Sequence, residues 1–387
     1  MGGGFSGTML AAELARRGIA AVLIDGTKRS GRGVAYSTGE PAHLLNVRAE
    51  AMSAWADAPD HFAKWFGQRG GDPRGFAPRQ SFGVYLRDIL DDAVAGGQVE
   101  VIERAAIAAT PGDGGWTVEL DDGRALDCAA LILANGNQPP EPLGFAAAAG
   151  ARMINNPWGA EAQAAVRAAA GSGGDVLLIG TGLTMVDLVL SLDAAGHRGT
   201  IVALSRRGLI PRGHADFAPA PAAIEDVPRG NALALWRWLR RRAGAVGWRA
   251  AVDALRPHSQ TLWQGLPAAE QRRFLRHARP WWDVHRHRIA PEISARLAQL
   301  VGEGRLEVRA GRIAAMRDAG DGVEVTIDRR GQRGTVPAKA EKFAFAFNCT
   351  GPLGALARSQ DPLLRGLLDA GAIRPDALGM GIAVDPR

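Results

Sequence analysis

Residues 1–18 read MGGGFSGTMLAAELARRG, a glycine cluster that runs straight into an amphipathic helix. Gly2, Gly4 and Gly7 give the spacing G-x-G-x-x-G. That spacing serves a turn between a buried strand and a helix, where backbone N–H groups and the helix dipole hold a pyrophosphate. Glycine is needed because a side chain would keep the phosphates away. The stretch continues into Ala20-Ala-Val-Leu-Ile-Asp25, a short apolar strand ending in an acid. The helix follows the loop, but no apolar strand precedes it.

Working outward, the chain repeats this plan, which is stronger evidence than one glycine motif. After the first strand come Val99-Glu-Val-Ile102 and a hairpin, Trp116-Thr-Val-Glu-Leu-Asp-Asp-Gly123 with Ala125 onward, turning at Asp-Asp-Gly. A return strand is expected to end in Leu131-Ile-Leu-Ala-Asn-Gly136. The second half follows the same order. Asp175-Val-Leu-Leu-Ile-Gly-Thr-Gly182 is a strand entering glycines, residues 183–192 read as a helix, and Thr200-Ile-Val-Ala-Leu-Ser205 is the next strand. Leu306-Glu-Val-Arg309, a hairpin from Val323-Glu-Val-Thr-Ile327 and a return through residues 343–351 complete it. Ala134-Asn-Gly136 and Cys349-Thr-Gly351 close the two halves alike.

The expected fold class is α/β: two Rossmann-like dinucleotide-binding domains with three-layer ββα character, and a helical insertion in the second. Domain one covers 1–150 without its first strand, and residues 137–156 are the link. Domain two covers 151–350, with residues 228–304, rich in Trp, Leu and Arg at helical spacing, as the insertion. Residues 351–387 are read as the start of an incomplete return to the first domain.

Composition narrows the function. Apolar residues make up 47% of 387, enough for real cores, and no apolar run reaches the length of a bilayer span. No leader precedes the glycines, and Cys128 and Cys349 form no C-x-x-C, so the chain reads as cytoplasmic and reduced. The net charge is +6, yet only Lys28, Lys64, Lys339 and Lys342 are lysines. Such an arginine skew in an alanine-rich chain points to coding bias, not to a nucleic-acid partner. The densest basic stretch, Leu235-Trp-Arg-Trp-Leu-Arg-Arg-Arg242, reads as a helix with apolar and cationic faces. His285 and His287 stand at i and i+2, which do not share a helix face, so no metal site is expected. No G-x-S-x-G, P-loop or H-E-x-x-H occurs, and no catalytic residue is assigned.

The two second strands end differently. Asp25 stands 18 residues after Gly7, where a carboxylate can accept hydrogen bonds from both ribose hydroxyls of an adenosine. Ser205-Arg206-Arg207 offers guanidiniums that can grip a 2′-phosphate. The contrast points to two dinucleotides, FAD in the first half and NADPH in the second. Candidate contacts to FAD are Gly2, Gly4, Phe5, Ser6, Gly7, Asp25 and Gly136. Arg32, within Gly31-Arg-Gly33, is a candidate counter-charge, and Asn46 a candidate hydrogen-bond partner of the flavin ring. Candidate contacts to NADPH are Gly180, Thr181, Gly182, Ser205, Arg206 and Arg207. Met185 stands where a third glycine is usual, a position that governs packing more than phosphate contact.

Gly3-Gly-Phe-Ser-Gly-Thr8, Gly31-Arg-Gly-Val-Ala-Tyr-Ser-Thr38, His43-Leu-Leu-Asn-Val47 with Met52-Ser53, Ser205-Arg-Arg-Gly208, Trp282-Asp-Val-His-Arg-His-Arg288 and Asn348-Cys-Thr-Gly-Pro352 together resemble the bacterial FAD/NAD(P)-binding proteins. That family includes relatives of flavin-dependent urate hydroxylase and of amino-acid N-oxidising monooxygenases. The resemblance covers nearly the whole chain. It implies a monooxygenase that hydroxylates a small molecule through a flavin hydroperoxide, with no nucleic-acid or membrane partner. A flavin reductase or dehydrogenase without oxygen chemistry, and a non-catalytic dinucleotide-binding fragment, remain open. Family members carry an apolar strand before the glycines and continue past residues 371–385 into a segment that touches the flavin. By that measure both ends of the first half are expected to be cut, leaving backbone groups unpaired at about 1–3 kcal/mol for each buried one.

Overall fold

The computed structural model describes residues 1–329 and 339–384. Met1–Glu141 together with the chain from Pro352 onward forms one unit, and Pro142–Gly351 forms another.

The first unit runs α1 (Phe5–Arg16), β1 (Ala21–Ile24), α2 (Gly33–Tyr36), α3 (His61–Gly67), α4 (Arg79–Ala95), β2 (Val99–Ile102), β3 (Ala106–Gly112), β4 (Gly115–Leu120) and β5 (Ala125–Cys128). Among the described residues β1 and β2 form a parallel pair, and β3, β4 and β5 an antiparallel meander. Side chains alternate across a strand, so β1 serves two layers. Leu23 packs with Ala11 of α1, Leu90 of α4 and Val99, while Ile24 packs with Ile102, Val118 and Leu120 toward the meander. Helices, parallel pair and meander are the three ββα layers expected from sequence. The hairpin turns where expected, with Gly123 at φ 85 closing on the Leu120 carbonyl.

The expected return strand is corrected. Residues 131–136 adopt no strand conformation. Among the described residues they bond to Met1, whose amine donates to the Ile132 carbonyl (2.7 Å) and whose carbonyl accepts from Ala134 N–H (2.7 Å). Gly2 N–H in turn donates to Ile24 at the end of β1 (2.8 Å).

The second unit runs β6 (Met153–Ile154), α5 (Ala160–Ser172), β7 (Val176–Ile179), α6 (Leu183–Ala194), β8 (Ile201–Ser205), α7 (Ala232–Val246), α8 (Trp248–Asp253), α9 (Ser259–Gln264), α10 (Ala268–His277), α11 (Arg279–Arg286), α12 (Pro291–Gly302), β9 (Leu306–Asp318), β10 (Val323–Arg329), β11 (Lys339–Phe343) and β12 (Phe345–Asn348). The chain then re-enters the first unit. There α13 (Pro362–Asp369), capped by Asp361 on Leu364 N–H, packs against β3.

Among the described residues the second unit's sheet has the order β11-β10-β9-β8-β7-β12-β6. Its centre is parallel, and β7, Val-Leu-Leu-Ile, is buried along its whole length, as a strand covered on both faces must be. Leu177 and Ile179 join Val202, Leu204, Val325 and Phe343 in one core. Burying each such side chain contributes about 1.5–3 kcal/mol. β9 begins parallel to β8 and continues from Gly311 as the antiparallel partner of β10. In the first unit the corresponding pieces, β2 and β3, lie in separate sheets. Helices α7–α12 fill the stretch read as an insertion. Among the described residues no helix is long and apolar enough to cross a membrane.

His197, fully buried after α6, has its pKa held below the usual value by burial, with Arg305 adding to the effect. The unfolded chain binds that proton below about pH 6.5 while the folded chain does not, so stability is complete above that pH and is lost as pH falls. The urea midpoint is expected to drop between about pH 7 and pH 5, and His197→Leu to flatten that slope. An unchanged slope would place the acid sensitivity elsewhere.

Candidate functional site

Two loops carry the candidate contacts, one in each unit, and local sterics shape them alike. Gly2 has φ 103, and a Cβ there would stand 2.1 Å from the Ala134 carbonyl oxygen. Gly180 has φ 115, and a Cβ there would stand 2.4 Å from the Cys349 carbonyl oxygen. In each unit the first glycine of the loop therefore presses on the segment closing that half. The glycine shared by the closing runs Ala134-Asn-Gly136 and Cys349-Thr-Gly351 has a cause of its own, a positive φ of 62 and 95. Gly7 is held as closely, since a Cβ there would overlap the Gly2 carbonyl oxygen.

Both loops open onto helix N-termini. Gly4 caps α1 and Gly182 caps α6, neither with a side-chain hydrogen bond nor with an acid in the first turn. A Cβ on Gly182 would meet nothing within 4 Å, so the space before α6 is clear. Uncapped first-turn N–H groups facing clear space suit an anion. Met185 is fully buried, consistent with a packing position.

Around the first loop the structure gathers more of the candidates. Gly31 N–H donates to the Gly3 carbonyl (2.9 Å), and a Cβ on Gly33 would stand 2.8 Å from Gly4 Cα. The Gly-Arg-Gly loop thus lies on the glycine loop. Arg32 between them is exposed and has no side-chain partner among the described residues. Phe5 stacks on Phe82 of α4 at 6.2 Å, and Ser6 is exposed in the first turn of α1. Gly136 is exposed, with φ 62.

Asp25, 4% exposed, is already engaged. Its Oδ1 accepts from Thr27 N–H (3.0 Å) and Thr27 Oγ1 (2.8 Å), and its Oδ2 accepts from Ser30 Oγ (3.1 Å). A carboxylate has about four acceptor positions, so about one remains, on Oδ2. Asn46 lies in the chain between α2 and α3. It is half-buried in a stretch where Leu45 N–H donates to Ala77 and Arg79 N–H donates to His43.

Sequence reading missed α4, which underlies both loops of this site. Phe82 meets Phe5, Gly83 abuts the Tyr36 carbonyl, and Arg87 abuts Gly31. Phe82, Leu86, Ile89 and Leu90 recur at helical spacing and are buried on one face, the signal that could have found it.

At the second loop, Thr181 Oγ1 donates to the Leu209 carbonyl and lies 2.9 Å from Ser205 Oγ, which accepts from Gly208 N–H (3.0 Å). These bonds tie the glycine loop to the turn after β8. That turn carries Arg206, exposed, and Arg207, half-buried, neither with a hydrogen bond or ion pair among the described residues. Two other arginines of this unit are paired instead, Arg296 to Asp193 and Arg309 to Glu341. Behind the loop Cys349 is buried, and burial together with Asp187 pushes its thiol pKa up. That disfavours the thiolate a redox cysteine needs.

Residues 1–138 match the FAD-NAD(P)-binding family. No curated protein matches. Solved structures are similar over nearly the whole chain. The ornithine N-hydroxylase KtzI from Kutzneria sp. 744, solved with reduced FAD, NADP+ and L-ornithine, is 16% identical with a TM-score of 0.62, covering 98% of this chain and 85% of that one. L-lysine 6-monooxygenase from Pseudomonas syringae is 17% identical with a TM-score of 0.60, covering 98% and 85%. The bacillithiol disulfide reductase Bdr from Staphylococcus aureus is 14% identical with a TM-score of 0.54, covering 100% and 83%. At such identities the likeness is one of fold, and the fold is that of flavoproteins with two dinucleotide-binding domains.

Proposed function

We propose that this chain, whose first 138 residues match the FAD-NAD(P)-binding family, is an FAD- and NADPH-dependent oxidoreductase that hydroxylates a small molecule. The observation that carries the reading is the matched pair of uncapped helix starts, one beside a buried acid and one beside unpartnered guanidiniums. FAD belongs to the first unit and NADPH to the second. When bound, FAD supplies the redox centre between NADPH and oxygen.

The chain's own residues bind and orient. The α1 N-terminus and Gly2, Gly4 and Gly7 let the FAD pyrophosphate approach the backbone, and Arg32 balances its charge. Asp25 offers its remaining acceptor position to the adenosine ribose. Gly180 and Gly182 do the same for the second pyrophosphate before α6, and Arg206 and Arg207 hold the 2′-phosphate. Ornithine and lysine hydroxylases of the same fold support the oxygen-using reading. The same fold also serves a disulfide reductase. A dithiol route here lacks a C-x-x-C, and Cys349 is held as a buried thiol.

The test is stoichiometry. Purified chain should carry a visible flavin spectrum that NADPH bleaches, and air should restore the colour with oxygen consumed in step with NADPH. Bleaching without oxygen uptake would make the protein a reductase. A colourless chain that also fails to take up added FAD would end the reading.

A further inference from the structure

We propose that the cleft between α7, α8 and α11 in the helical insertion binds a small planar aromatic acid. Helix α7 sets Trp236, Leu239, Arg240 and Ala243 at i, i+3, i+4 and i+7, one face of a helix. Opposite stand Trp281 and Trp282 of α11, and Trp248 of α8 completes the wall. The cavity they enclose measures about 520 Å³, within the usual size of small-molecule sites. None of these four indoles is fully buried, and Trp281 is 40% exposed. Flat, partly open indole walls favour a planar aromatic ligand by offset stacking or edge contact.

Charge decides the sign of that ligand. Such a cage of tryptophans commonly takes a cation over its ring faces. Here the Trp248 ring already carries two cations, with Arg249 at 4.3 Å and Arg288 at 5.2 Å from it. Arg288 is neutralised by Asp253 at 2.7 Å. Arg249 has no carboxylate partner among the described residues, and Arg240 on the rim has no partner of any kind among them. His277 and His285 also line the cleft, and no Asp or Glu does. A cation would meet this excess positive charge, and a carboxylate would complement it. The amphipathic basic stretch Leu235–Arg242 thus gains a role, its apolar face forming the wall and its Arg240 the charge at the rim. The inference rests on the insertion's side chains and is independent of the nucleotide sites.

The experiment titrates the full chain, without added cofactor, with naphthoate and with the isosteric cation naphthylmethylammonium. Binding is followed by tryptophan fluorescence and calorimetry. Naphthoate is expected to bind about tenfold more tightly than the ammonium. Arg240→Gln, an exposed position, should weaken naphthoate about three- to fivefold and narrow that preference. Trp281→Ala, also exposed, should weaken both probes. Equal or tighter ammonium binding by the unaltered chain overturns the proposal, as does no saturable naphthoate binding. Naphthoate binding that neither substitution alters overturns it too. Flavin content and NADPH oxidation are measured on the same samples, so a failure here is told apart from a failure of the nucleotide reading.

Discussion

Replacing Arg206 and Arg207 together by alanine is expected to raise the KM for NADPH about tenfold to a hundredfold and to leave that for NADH within about threefold. The two nucleotides differ only by the 2′-phosphate, so the difference isolates the contact. Charge-assisted hydrogen bonds contribute about 1.5–3 kcal/mol each, and a guanidinium meets phosphate in a bidentate way. Neither arginine has a partner among the described residues, so removing them breaks no internal ion pair. The backbone of the turn is held by Ser205, Thr181 and Gly208, which the substitutions do not touch. Steady-state kinetics with both nucleotides checks this. Equal losses for NADPH and NADH would remove the 2′-phosphate assignment.

The second large effect separates two glycines of one loop. Gly180→Ala should lower the Tm by about 6–12 °C, the result of a loss on the order of 3 kcal/mol. Its backbone has φ 115, and the new methyl would stand 2.4 Å from the Cys349 carbonyl oxygen. Gly182→Ala should fold normally, because φ is −87 and a Cβ there meets nothing within 4 Å. That methyl would nevertheless sit in the clear space before α6. NADPH affinity should fall about tenfold with the Tm nearly unchanged. Calorimetry and nucleotide titration on the two variants give the comparison. If Gly182→Ala binds NADPH normally, no phosphate lies before α6.

Much of the candidate site was legible because its causes are local. The approach of Gly7 to the Gly2 carbonyl, an acid two residues from the threonine it accepts from, and an arginine pair after a strand are matters of short sequence range. The Gly31–Gly33 loop was singled out in the sequence as well, and the structure places Gly33 against Gly4. Other elements were not. Helix α4 underlies both loops through Phe82, Gly83 and Arg87, and only packing shows that it does. The way the stretch around Asn46 is fastened to Ala77 and Arg79 is likewise seen only in the fold.

The amino-acid sequence by itself determined the two glycine turns, their helices, the acid after one and the guanidiniums after the other. Each depends on backbone conformation and chemistry within a few residues. Tertiary structure decided between the two return runs. Residues 345–348 lie between β7 and β6 and form a strand, while the similar run 131–136, among the described residues, bonds to Met1 and does not. Tertiary structure likewise gathered tryptophans from three helices into one cleft. A strand needs a neighbour to complete its hydrogen bonds and a cavity needs walls from several elements, so neither is contained in a local run of residues.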